Sequence, residues 1–189
     1  MVKRGLSLTW DATNGLLSYS CTDEVIHAAA ESGCIAVCIG IESGNPKILR
    51  EVKKPGTVEI FQKTARVLRK YPQIYSSGLL MVGLPGETLS QIMDTVSLAR
   101  EMDLDWYRIS PLQPLPNTSI YESMVAEGLI DDVGSSDVRF AGGAYGKQVE
   151  VEQGRRIGTL NFENAFSQIA MEDVPNLNQI EDIWVYMNY

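Results

Sequence analysis

The sequence predicts an α/β domain built on parallel strands. Three observations carry this: strand-like segments alternate with helical patterns, the runs at 35–41 and 78–82 are apolar almost without interruption, and helix-capping residues follow the loops. Four consecutive βα units of this kind imply a parallel sheet with right-handed crossovers, either doubly wound or part of a barrel.

The elements follow in order. Leu6-Ser7-Leu8-Thr9-Trp10 alternates with period two and predicts a first strand over 6–10. Thr22 then caps a helix whose first turn holds Asp23 and Glu24 near the positive end of the dipole, with Val25, Ile26 and Ala29 as its apolar face and Gly33 as its stop. Residues 35–41, flanked by glycines, predict a strand buried on both faces. A loop containing Asn45-Pro46 and Pro55-Gly56 leads to a helix capped by Thr57, with Phe61, Ala65 and Leu68 inward and Glu59 able to pair with Lys63. Gly78 to Val82 is a third strand. It enters Gly83-Leu84-Pro85-Gly86-Glu87-Thr88, after which Thr88 and Gln91 form a capping box for a helix with Ile92, Val96 and Ala99 inward. Trp106 to Ser110 predicts a fourth strand, which Pro111, Pro114 and Pro116 prevent from continuing. Thr118 or Ser119 opens a short helix ending at Gly128. Residues 131–158 are rich in Gly, Ser and Asp without lasting periodicity, and 174–189 read as loop passing into helix. The division expected is therefore 1–130 for the βα units and 131–189 for an acidic, irregular tail.

A chain of 189 residues with 44% hydrophobic and 21% charged side chains can bury a core without disulfides or a structural metal. No run approaches the roughly 18 apolar residues of a membrane span, and the apolar stretch near the start is too short for a signal-peptide core. The expectation is a cytoplasmic protein without a membrane partner. The net charge of −8 argues against a nucleic-acid-binding surface, which needs clustered Lys and Arg. From Asp131 onward there are ten acidic and four basic side chains, so the tail carries most of that excess.

Three cysteines in a reducing compartment predict no disulfides. Cys34 and Cys38 stand in a C-x3-C spacing, but Ile41 occupies the place of a third ligand. In a strand, residues four apart also lie roughly 13 Å from each other at about 3.3 Å rise per residue, too far for one compact cluster. They read as core cysteines, with no metal site.

Ligands of parallel α/β folds sit at the carboxyl ends of the strands. Two loops there are unusual. Gly40-Ile41-Glu42-Ser43-Gly44-Asn45 puts a carboxylate and a hydroxyl at the mouth of a buried strand, yet it lacks the G-x-S-x-G spacing of a nucleophile elbow. Gly83-Leu84-Pro85-Gly86-Glu87-Thr88 is a glycine-rich strand-to-helix turn without the G-K-[ST] of a P-loop.

Together with Gly33-Cys34, Lys53-Lys54-Pro55-Gly56-Thr57 and Pro114-Leu115-Pro116-Asn117-Thr118, these loops resemble the radical S-adenosylmethionine superfamily. The particular likeness is to its branch of Fe–S oxidoreductases that often carry a cobalamin-binding domain, and it covers about residues 6–130. The resemblance implies a partial (β/α) barrel, with these strands as roughly the third to sixth of six. It also implies an enzyme in which a [4Fe–4S] cluster reductively cleaves S-adenosylmethionine to a 5′-deoxyadenosyl radical. Glu42 with Ser43 would then lie beside the ribose and methionine part of the cofactor, and Lys54 would approach its carboxylate. The backbone of Val82, Gly83 and Leu84 would flank the adenine through exposed strand-end amides.

The cysteine triplet of that family has no counterpart here. The chain is therefore expected to be a piece of a larger enzyme, inactive when isolated, with its substrate and any use of cobalamin left open. Two alternatives stand beside this reading: a binding or scaffold module without a cluster, and an unrelated α/β enzyme using Glu42 as general acid or base. A strand at 6–10 without its neighbour is an open barrel edge. Either the tail, through residues 183–189, or a second copy in a homodimer is expected to cover it.

Overall fold

A computed structural model describes residues 2–127 and 169–188. It divides into two units, 1–111 with 169–189 and 112–168. The first holds a four-stranded, wholly parallel sheet in sequential order. Its strands are β1 (Trp10–Leu16), β2 (Cys34–Glu42), β3 (Tyr75–Val82) and β4 (Trp106–Pro111). Between them run α1 (Asp23–Glu31), a short α2 (Pro46–Glu51), α3 (Val58–Leu68) and α4 (Leu89–Met102). The closing helix α6 (Leu177–Asn188) belongs to the same unit, whereas α5 (Ser119–Ala126) lies in the other.

The capping residues do what their chemistry suggests. Thr22, Thr57, Thr88 and Thr118 each accept a hydrogen bond from an amide of the first turn they precede, and Thr88 with Gln91 completes a capping box. Ser119 is thus the first helical residue rather than the cap, and Gly128 lies outside the described residues.

Four expectations need correction. The first strand is not at 6–10 but begins at Trp10, and Leu6 and Leu8 are more than half exposed. Trp10 is tied down by its amide to Gly33 O and by its indole to Ser32, after which a polar segment pairs with β2 through two register shifts. An edge strand needs backbone pairing on one side only, so alternation was a poor guide to its position. The loop at Asn45-Pro46 is in fact the start of α2: Asn45 Oδ1 accepts from Lys47 N and Ile48 N, and Pro46 takes the first helical position, where no amide donor is required. On α1 only Ile26 and Ala29 of the expected face are buried, while Val25 stays exposed. The Glu59–Lys63 pair is not among the ion pairs of the described residues.

The core lies between the sheet and helices α1, α3 and α4. Ile39, Ile41, Leu80 and Val82 of the sheet and Phe61, Leu68 and Ile92 of the helices are all buried. A Cβ on Gly78 would contact Ile41 and the Tyr107 ring, which places these three on the helix-covered face. Residues one step along each strand point to the opposite face, the concave side of the sheet. The tail helix does not cover β1. It packs on β4, at the other edge, where Trp184 Nε1 donates to Ile109 O at 2.7 Å and Ile183 is fully buried.

Candidate functional site

The site is built at the carboxyl ends of β2 and β3. Glu42 ends β2 with φ +67, a left-handed conformation that a glutamate adopts only when its surroundings hold it there. The next three residues supply that hold. Ser43 is fully buried, its hydroxyl 3.2 Å from Thr95 Oγ1 and accepting from Asn45 N, while Gly44 N donates to Thr95 Oγ1 at 2.8 Å. The loop is thereby fastened to α4. Gly44 must be glycine, because a Cβ there would stand 2.5–2.8 Å from the backbone of Asp94 and Thr95.

The turn at Glu42 brings its side chain back over the concave face. Lys54 Nζ meets Glu42 Oε1 at 2.8 Å, with 18% and 23% of the two side chains still exposed. The pair lies over Gly40, where a Cβ would stand 2.7 Å from Lys54 Nζ and 3.2 Å from Glu42 Oε1. A side chain at position 40 would displace the ion pair. Glu42 and Lys54, each expected to face the cofactor, are here paired with one another, while Ser43 is turned toward α4 with its hydrogen bonds spent inside the protein.

The second loop differs from expectation. Gly83 N and Leu84 N, offered as free donors at the strand end, both donate to Glu87 Oε2, at 2.9 and 3.2 Å. Glu87 is 1% exposed and its other oxygen is buried without a hydrogen-bond partner among the described residues. Burial pushes its pKa up to about 7, against the opposing pull of the Leu84 and Gly83 amides. Gly83 itself, at φ +77, faces Ile180 of α6, which a Cβ would approach to 3.1 Å. The amides of Gly83 and Leu84 are thus spent on Glu87, and Leu84 O in turn accepts from Glu87 N at 2.9 Å.

Two important residues went unread in the sequence. Thr95 belongs to a helix whose buried positions are Leu89, Ile92, Thr95, Leu98 and Met102 rather than a face through Val96 and Ala99. A threonine on an otherwise apolar stripe was the available signal. Glu87 stood in the Gly83–Thr88 turn without a role of its own, and its position four residues after Gly83 was the only hint that it could reach back to the strand end.

The described residues do not form a cluster site. Cys21, Cys34 and Cys38 are all buried and free, and among the described residues no three His, Cys, Asp or Glu could hold a metal. Burial raises the Cys21 thiol to about 11 and raises that of Cys34 as well, the reverse of what thiolate ligands need.

Fold and rim define a class: an α/β protein with a charged corner at the carboxyl ends of parallel strands. The Radical SAM superfamily model matches residues 3–99, just over half of the chain, and the chain belongs to that superfamily. Its four strands are thus part of that superfamily's partial barrel, and the family uses S-adenosylmethionine with a [4Fe–4S] cluster. An uncharacterized methyltransferase of Pyrococcus horikoshii is 27% identical over 128 residues, 68% of this chain and 27% of that protein. The tRNA-2-methylthio-N(6)-dimethylallyladenosine synthase of Vibrio cholerae is 37% identical over 79 residues, 41% of this chain and 17% of the enzyme. Among solved structures, coproporphyrinogen III oxidase from Escherichia coli, described as a radical SAM enzyme, matches with a TM-score of 0.46 and 16% identity, over 56% of this chain and 29% of that one. The chain spans less than a third of the length of each of these three. No helix among the described residues is long and apolar enough to cross a membrane.

Proposed function

We propose that this chain supplies the S-adenosylmethionine-binding side of a radical SAM enzyme's barrel. The observation that carries the reading is the Glu42–Lys54 pair, held over Gly40 on the concave face by a left-handed Glu42. S-Adenosylmethionine offers an ammonium, a carboxylate and ribose hydroxyls. A carboxylate beside an ammonium matches the amino-acid end, since each can exchange its internal partner for the opposite charge on the ligand. Ser43 serves by fixing the loop on Thr95. The Val82–Leu84 backbone would flank the adenine by packing rather than through its amides, because Glu87 has taken those of Gly83 and Leu84. In the family the cluster supplies the electron that cleaves the cofactor. The described residues offer no place for it, so the chain's own part is to bind and orient, without turnover by itself.

Titration of the ¹⁵N-labelled chain with S-adenosylmethionine tests this. Saturable shifts are expected at Gly40, Glu42, Ser43 and Gly83, and Glu42→Ala should weaken them by roughly tenfold, the loss of one charge-assisted contact. An absence of shifts at these residues, in a folded chain, would remove the reading.

A further inference from the structure

The concave face carries a second cation that has no ion-pair partner among the described residues. In register, Gly40 pairs with Leu79 and Leu79 with Arg108, so the three form one row across β2, β3 and β4. At about 4.8 Å between neighbouring strands, Arg108 stands about 10 Å across the sheet from Gly40, over which Lys54 lies. Its direction follows from its neighbour. Tyr107 turns to the helices and donates from its hydroxyl to Ala99 O at 2.7 Å, so Arg108 points to the other face. The ion pairs of the described residues are Lys47–Glu51, Lys54–Glu42, Arg69–Asp103 and Lys70–Asp23, and Arg108 is in none of them.

The position breaks a local rule. The inner face of a parallel barrel is filled by apolar branched side chains, whereas Arg108 stands there mid-strand with its side chain exposed and open to an anion. Half-buried Leu79 lies beside it in the row, and exposed Trp106 precedes it by two residues on the same face. Lys54 is already neutralised by Glu42. Arg108 is thus the uncommitted cation on this face among the described residues, with a planar fork suited to two parallel hydrogen bonds.

We infer that Arg108 is the anion-binding residue for the substrate of this barrel, receiving a carboxylate or phosphate whose organic body lies along Leu79 and Trp106. The inference takes from the proposed function only that small molecules occupy the concave face. It assigns the substrate end to β4 and leaves the Glu42–Lys54 corner to the cofactor.

The test is titration of the ¹⁵N-labelled chain with benzoate and, separately, with phenyl phosphate, observing the Arg108 Nε–H, the Trp106 indole N–H and the Leu79 amide. Saturable shifts at all three with either probe are the expected result, and the probe that binds better tells carboxylate from phosphate. Arg108→Gln should lose roughly tenfold in affinity, with Arg108→Lys in between. Because Arg108 is exposed, both variants should keep the melting temperature of the parent chain. If neither probe moves the Arg108 signal, or if Arg108→Gln binds as tightly as the parent, the inference falls. A parallel titration with S-adenosylmethionine keeps the two ideas apart: anion shifts at Arg108 without cofactor shifts at Gly40 and Glu42 would sink the proposed function and leave this one standing.

Discussion

Two glutamates stand at the carboxyl ends of neighbouring strands, and the fold treats them in opposite ways. Glu42 closes β2 on the concave side, faces a lysine and keeps contact with water. Glu87 lies just beyond β3, buried, bonded through one oxygen to two amides and without a cation partner among the described residues. The same side chain therefore does two jobs. At Glu42 its charge is balanced and accessible, so a ligand can take over one partner. At Glu87 its role is to hold a turn, and the cost of burial shows in a pKa near 7.

The largest effect expected from this contrast is in the pH dependence of stability. Glu87 titrates at about 7 in the folded chain against 4.5 as its ordinary value, so the native state binds this proton more tightly than the unfolded one. Its contribution is fully present below pH 4.5, is lost as pH rises to 7, and stays lost above that. The span corresponds to about 3 kcal/mol. Urea denaturation at pH 5 and pH 7.5 should show Glu87→Gln losing much less stability over this interval than the parent. Parallel slopes would mean that Glu87 titrates normally and that the contrast with Glu42 is not real.

A smaller loss is expected where the Glu42 loop is fastened. Gly44→Ala forces a methyl against the backbone of Asp94 and Thr95, and overpacking of this kind costs about 1–3 kcal/mol. Thermal melting measures it. An unchanged melting temperature would show that the loop is free to move off α4, and that the left-handed Glu42 is not held from behind.

The smallest effect belongs to the ion pair itself. For the partly exposed Glu42–Lys54 pair, a double-mutant cycle with Glu42→Gln and Lys54→Met should return a coupling of about 1 kcal/mol or less, reduced further by salt. A much larger coupling would make the pair a structural element like Glu87 rather than a surface open to exchange.

Much of the architecture was legible because it rests on local chemistry. The threonine caps, the capping box and the apolar runs of β2 and β3 each act within a few residues, so spacing alone located them. The motif loops likewise singled out Glu42 and Lys54, each on family resemblance, but not their pairing with one another. What stayed hidden depends on partners distant in sequence. β1 is a strand because β2 offers it an edge. Thr95 is buried because it receives a loop that ends some fifty residues earlier in the chain. Arg108 stands opposite Gly40 only through the register of two strand pairs.

Glu87 is the sharpest case. Its identity and its place after Gly83 were plain in the sequence, yet only the tertiary structure decided whether its carboxylate would meet solvent or the amides of Gly83 and Leu84. Burial in the folded chain withdrew it from water and raised its proton affinity. The sequence alone determined which groups could donate, accept or carry charge and which short segments would be helix or strand. Tertiary packing decided which of those groups kept water as a partner, because desolvation is a property of everything that surrounds a side chain and not of its neighbours in sequence.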